Sequence, residues 1–207
     1  MSKDSLIVGI TGVFFGLLVG WIIGSQQGGG RAATPAAPQA AAAAPAPASG
    51  GGQQAPAVLD EARASALKST AQQNPSDGAS RVELGNMYFD ASRYPEAVDW
   101  YQQALRINPR DVNVSTDLGI AFYYMNDPDK ALAQFDKSLA IDPKHAKTLM
   151  NIGIVRAFGK QDLKGAAEVW QRILDVAPSS EEARAAKQAL DGIRSAHPEI
   201  GGGKGPS

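Results

Sequence analysis

Residues 75–109 read PSDGASRVELGNMYFDASRYPEAVDWYQQALRINP, and residues 109–143 repeat the plan as PRDVNVSTDLGIAFYYMNDPDKALAQFDKSLAIDP. Leu84-Gly85 returns as Leu118-Gly119 and again as Ile152-Gly153, each 34 residues on. Pro75, Pro109 and Pro143 keep the same interval, and Pro178 follows after 35. Tyr88 and Phe122, Ala97 and Ala131, Tyr101 and Phe135 are also 34 apart. A fixed period of this length marks a stack of small units, each with an apolar face that only a neighbour can bury.

The residue types at these places have physical reasons. Glycine in a first helix and alanine in a second let the two helices of a hairpin approach closely, and the aromatic residues are expected to fill the space between hairpins. Proline stops each second helix, because it lacks an N–H and turns the preceding residue away from the α region. The pattern predicts helices at about 78–91 and 94–107, 112–125 and 128–141, and 146–158 and 162–176. Residues 58–73 end at Pro75 in the same register and read as a lone second helix. Ser179-Ser180-Glu181-Glu182 opens a last, amphipathic helix to about Ser195 in the manner of a capping box. The third unit departs from the pattern: it is one residue longer between Gly153 and Ala166, with Arg156 where Tyr88 and Phe122 stood. Its packing is then looser, or Arg156 turns towards a partner or a local acid.

This pattern resembles the tetratricopeptide repeat over about residues 58–196. The resemblance implies an all-α solenoid of three hairpins, at about 78–111, 112–145 and 146–180, with a helix at each end. The repeat domain is taken as residues 57–198. The resemblance also implies a concave groove for protein partners, lined by the second, fifth, ninth, twelfth and thirteenth positions of each first helix. Those are Ala79, Val82, Asn86, Phe89 and Asp90 in the first unit, and Asn113, Thr116, Ile120, Tyr123 and Tyr124 in the second. In the third they are Lys147, Met150, Ile154, Ala157 and Phe158.

Phe89, Ile120, Tyr123, Tyr124, Met150, Ile154 and Phe158 make this groove apolar and aromatic, suited to an extended peptide or an amphipathic helix. Some of these residues alternatively belong to the core between repeats, since adjacent Tyr123 and Tyr124 cannot both face one way. One subgroup of the family grips a C-terminal carboxylate with Lys and Asn residues, a role open to Asn86, Lys147 and Asn151. Val82 and Asp117 occupy two places of that clamp, and Asp117 repels a carboxylate, so chaperone-tail binding is not expected.

Outward from the repeats, residues 25–56 hold twelve Ala, six Gly, five Pro and five Gln, a composition with no apolar surface to fold around. This is expected to be a disordered tether averaging about 30 Å end to end. Residues 199–207 are expected to be a flexible tail. Leu6–Ile23, LIVGITGVFFGLLVGWII, spans about 27 Å as a helix, close to the hydrocarbon thickness of a bilayer. Its length exceeds a signal-peptide core, so residues 1–24 are read as an uncleaved single-pass anchor, with Trp21 near one interface. The short tail with Lys3 is expected to stay cytoplasmic, which places the repeats outside, with the cytoplasmic face as the alternative; the organisation of short tail, single span, spacer and three repeats is similar to bacterial inner-membrane proteins, which implies a periplasmic position. Gly12, Gly16, Gly20 and Gly24 form one stripe on this helix, of the kind that lets two helices associate.

Composition excludes several functions. The chain of 207 residues has a formal charge of −1, and residues 57–200 hold 17 Lys+Arg against 20 Asp+Glu, so phosphate-driven nucleic-acid binding is not expected. It has no cysteine, hence no disulfide or thiolate chemistry. His145 and His197 are read as exposed loop histidines without metal-site spacing. No phosphate loop, dinucleotide fingerprint or nucleophile elbow occurs. The chain is therefore read as a non-enzyme without metal, cofactor or small-molecule substrate. The expected function is a membrane-tethered scaffold for a protein or peptide partner. The arrangement, with the segment LKSTAQQNPSDGASRVELGNMYF (67–89), is similar to the repeat domains of cytochrome c maturation (haem lyase accessory) proteins. The alternative is a homo-oligomeric assembly protein organised by the glycine stripe and the solenoid ends.

Overall fold

The computed structural model describes residues 57–198. The expected anchor with Gly12, Gly16, Gly20 and Gly24, the tether and the C-terminal tail all lie outside the described residues. Within them, eight α-helices follow one another: α1 Glu61–Gln73, α2 Gly78–Asp90, α3 Tyr94–Ile107, α4 Val112–Tyr124, α5 Pro128–Ile141, α6 Ala146–Ile154, α7 Leu163–Val176 and α8 Glu181–Ala196. A π-helical segment, Val155–Gly159, continues α6. No strand occurs among the described residues. None of these helices is long and apolar enough to cross a membrane.

Local chemistry sets the helix ends. The Asp77 and Asp111 carboxylates accept the N–H groups of Ser80 and Val114, and Ser180 does the same for Ala183. The second helices α5 and α7 start on Asp127 and Asp162 in the same way. Such caps satisfy donors that the first helical turn leaves open. Each second helix ends one residue before a proline, at Asn108, Asp142 and Ala177. Within each hairpin the chain turns through a residue of positive φ: Ser92 (58°), Asn126 (61°) and Gln161 (55°).

The core of each hairpin is one aromatic ring laid on one glycine. Tyr101 of α3 covers Gly85, Phe135 of α5 covers Gly119, and Trp170 of α7 covers Gly153. These rings are 2%, 0% and 2% exposed. They therefore sit inside their own hairpins rather than between hairpins, which corrects the expected placement. A Cβ on any of the three glycines would land within the ring. Burying one such ring stabilises the fold by roughly 2–3 kcal/mol, so the glycine provides both the approach and the burial.

The third unit is not loosely packed. Trp170 fills it, and its indole N–H donates to the Met150 carbonyl at 3.2 Å. The extra residue is absorbed by the π-helical segment, which takes one more residue per turn than the surrounding helix. The positive-φ residues locate it: the interval is 34 from Ser92 to Asn126 and 35 from Asn126 to Gln161. Counted back from Gln161, Ala157 rather than Arg156 takes the place of Tyr88 and Phe122, and it is buried. Arg156 instead reaches the Asp162 carboxylate at 3.5 Å, the local acid that was one of its expected alternatives.

Candidate functional site: the inner face of the first helices

The first helices α2, α4 and α6 carry the residues singled out for a groove, and the structure divides them into two sets. Thr116, Ile120, Met150, Ile154 and Ala157 are buried, at 0–6% exposure. They are corrected from groove lining to buried core. The Thr116 hydroxyl meets Thr148 of the next first helix at 2.7 Å, and Met150 is fully covered. An apolar groove does not form there, because its apolar residues are consumed in holding the units together.

A second correction concerns the aromatic residues. Phe89, 9% exposed, lies edge-on to Tyr94 and to Tyr124, with centroids 5.4 and 5.3 Å apart. Tyr94 and Tyr124 stack at 5.1 Å, and Tyr123 meets Tyr124 edge-on at 6.1 Å. This cluster joins the first hairpin's turn to the end of α4. The Tyr124 hydroxyl is buried without a hydrogen-bond partner among the described residues. Burial, with smaller contributions from Tyr94 and Tyr123, pushes its pKa up to about 12. Tyr94 was not anticipated: it opens a second helix, where Pro128 and Leu163 follow in the later units, so no repeat position signals it. Phe158 and Tyr123 are half-buried, and the Tyr123 ring lies against Gly159.

What stays open is polar. Asn86 is half-buried, and its Oδ1 accepts the Tyr101 hydroxyl at 2.8 Å. Asp90 closes α2 as an exposed residue, and its carboxylate has no hydrogen bond or ion pair within the described chain. Burial, then the charge of Asp117, raises the pKa of Asp90. Asp117 of α4 accepts Lys147 of α6 at 2.7 Å, with side chains only 14% and 24% exposed. The pKa of Asp117 is nonetheless raised, since desolvation outweighs the lysine. Burial raises the Tyr101 hydroxyl as well, with Asp117 and Asp90 adding to it. Asn151 is turned inward, donating to the Lys147 carbonyl at 2.8 Å. Of the residues considered for a carboxylate clamp, Lys147 is thus already neutralised and Asn151 is occupied.

His145 is not the exposed loop residue that was expected. It is half-buried between the second and third units, with Nδ1 2.7 Å from the Thr148 hydroxyl and Nε2 3.1 Å from the Asn113 amide. The Val112 carbonyl accepts the Thr116 hydroxyl, and the Thr148 hydroxyl links Thr116, 2.7 Å away, to His145. Burial lowers its pKa, opposed by Asp142, Glu182 and Asp117 and aided by Lys147. His145 occupies the capping place held by Asp77 and Asp111 but accepts no backbone N–H, so this seam replaces the cap. Asn113 itself is exposed, and among the described residues no group of three or more His, Asp or Glu is arranged to hold a metal ion.

Comparison with known proteins agrees with this architecture. Residues 85–126 match a family model described as TPR repeat, and residues 114–145 match one described as tetratricopeptide repeat. No curated protein sequence matches the chain. Among solved structures, the first repeat domain of Spaghetti (RPAP3) bound to the HSP90 peptide SRMEEVD is 25% identical, with a TM-score of 0.52, over 57% of this chain and 94% of that one. The Sgt2 repeat domain from Aspergillus fumigatus is also 25% identical, with a TM-score of 0.53, over 63% of this chain and 86% of that one. MamA, at 16% identity and a TM-score of 0.55 over 67% of this chain and 82% of that one, is similar in fold alone.

Proposed function

We propose that this chain, which carries tetratricopeptide repeats, is a membrane-tethered scaffold that holds a segment of a partner protein against the inner face of α2, α4 and α6. One observation carries the reading. The first helices carry polar side chains at groove positions: Lys147 of α6 bonds Asp117 of α4 at 2.7 Å, Asn86 of α2 is fixed by the Tyr101 hydroxyl, and Asp90 and Asn113 are exposed. Hydrogen-bonding groups held in place by their neighbours suit an extended chain, whose own backbone needs partners. Repeats of this kind are typically interaction modules rather than catalysts.

The apolar run Leu6–Ile23 supports the tether, and Lys3 on the short tail ahead of it favours a periplasmic position for the repeats of a bacterial inner-membrane protein. The likeness of residues 67–89 to haem lyase accessory repeats makes an apocytochrome c segment a specific candidate partner. A photo-crosslinking residue at Asn86, compared with one at Asp136 on the exposed side of α5, tests the face in native membranes. Adducts at position 86 alone are expected; equal adducts at both sites would remove the inner face from consideration. Alkaline carbonate should leave the chain in the membrane pellet, and its release would exclude the anchor. The second reading, self-assembly, rests on the glycine stripe. It predicts that Gly16→Leu/Gly20→Leu abolishes both oligomer and partner adducts, whereas a scaffold keeps its adducts.

A further inference from the structure

The three units start their first helices on different chemistry. Asp77 and Asp111 hold the starts of α2 and α4 with carboxylates, whereas α6 starts on His145, whose imidazole takes no N–H of its own helix. The ring is spent across the seam instead: Nε2 lies 3.1 Å from the Asn113 amide of α4, and Nδ1 lies 2.7 Å from the Thr148 hydroxyl of α6. Thr148 in turn meets Thr116 of α4 at 2.7 Å, and both threonines are fully buried. One titratable ring thus ties the second unit to the third at the point where α6 begins.

Its surroundings make a positive charge there costly. The ring is half-buried and sits at the positive end of the α6 dipole, on a helix start that has no side-chain cap. Lys147, in the first turn of α6, adds a cation at the same end, and Lys144 precedes it in the turn from α5. The acids nearby are mostly committed. Asp117 of α4 holds Lys147 at 2.7 Å, and Asp142, just after α5, accepts the Lys144 N–H at 2.9 Å. Glu182 of α8 adds a third negative charge, while Arg172 of α7 donates to the Pro143 carbonyl in the same turn. Burial, aided by Lys147, outweighs the three acids, and the folded ring titrates below its ordinary value of 6.5.

We infer that the joint between the second and third units is a pH-sensitive catch: charging His145 loosens the start of α6, and with it the seam to α4. This goes beyond the scaffold reading and does not depend on what the inner face holds. The seam accommodates the neutral ring, and opening it hydrates the imidazolium. It therefore holds fully above pH 6.5 and loses support as pH falls through that value. Lys147 shares the first turn of α6 and pairs with Asp117, so the loosening reaches the inner face as well. The first unit has no such device, because the Ser80 hydroxyl holds Asp77 below the ordinary 3.8 and its cap stays charged.

The test is hydrogen exchange of the full chain in detergent micelles, resolved by residue through fragmentation mass spectrometry. It compares pH 7.5 with pH 5.5 after correction for intrinsic exchange rates. The amides of Leu149, Met150 and Asn151, the first of which donates to the His145 carbonyl at 3.1 Å, should lose protection about two- to fivefold at pH 5.5. That is the factor carried by one unfavourable charge at a helix end. The amides of α2 around Leu84 should not change. His145→Gln, which cannot titrate, and His145→Asp, which puts back the capping residue of the other units, should both abolish the response. His197→Gln removes the only other histidine and should keep it. An undiminished loss in His145→Gln would overturn the inference and point to Asp117, whose own protonation also frees Lys147. An equal loss in α2, or no loss in α6, would overturn it too.

Discussion

Each hairpin depends on the absence of a single methyl group. Gly119→Ala would drive a Cβ into the Phe135 ring, which is completely buried and has nowhere to move. Overpacking of this kind costs about 1–3 kcal/mol, and Phe135→Leu in the same chain should recover part of it. A double-mutant cycle by thermal melting checks this: simple additivity of the two losses would contradict the ring-on-glycine arrangement. Asp90 gives a second residue-level prediction, with its sign set by the raised pKa. A carboxyl whose folded pKa lies above its unfolded value supports the fold when protonated, and that support is lost as pH rises through the folded value. Asp90→Asn should therefore melt higher than the parent at pH 7, with the difference closing as pH falls below the ordinary value of 3.8. No difference at pH 7 would mean that the carboxyl is not strained there. The glycine–aromatic pairs were legible in the sequence as positions, because they recur at a fixed interval. Their pairing within a hairpin was not, since the interval is silent on which neighbour a ring faces.

Helices show where periodic reading succeeds and where it stops. The expected boundaries of α2 to α5 fall within a residue of those observed, because aspartate caps and prolines are local signals. Burial was harder to read. Thr116, Ile120, Met150 and Ile154 occupy first-helix positions that face a partner in the general pattern, yet here they are buried. Spacing alone does not encode which face of a helix its neighbours cover. The third unit was misread for a related reason: one inserted residue moved Arg156 out of the place assigned to it, and only the turn at Gln161 reveals where the count resumes. His145 was misread because its partners, Asn113 and Thr148, lie on two different helices. At this scale, Asp111→Ala removes the carboxylate that accepts the Val114 N–H at 3.1 Å and should cost about 1 kcal/mol. Chemical denaturation checks the value. A cost near zero would show that the cap is replaced by water or by the preceding turn.

At the scale of the repeat domain, stability is set by neighbours. The interior units are covered on both sides, whereas α1 and α8 are covered on one. Native-state hydrogen exchange should therefore find the slowest amides in α4 and α5 and the fastest helical amides in α1 and the last turn of α8. Uniform protection along the chain would instead indicate one all-or-none unit. The ion pair between Asp117 and Lys147 joins the second unit to the third and has a further consequence. A carboxylate fixed beside its lysine competes as a tethered ligand, at an effective concentration of millimolar or above. Under the scaffold reading proposed above, an acidic chain end present well below that concentration is expected to leave the pair closed.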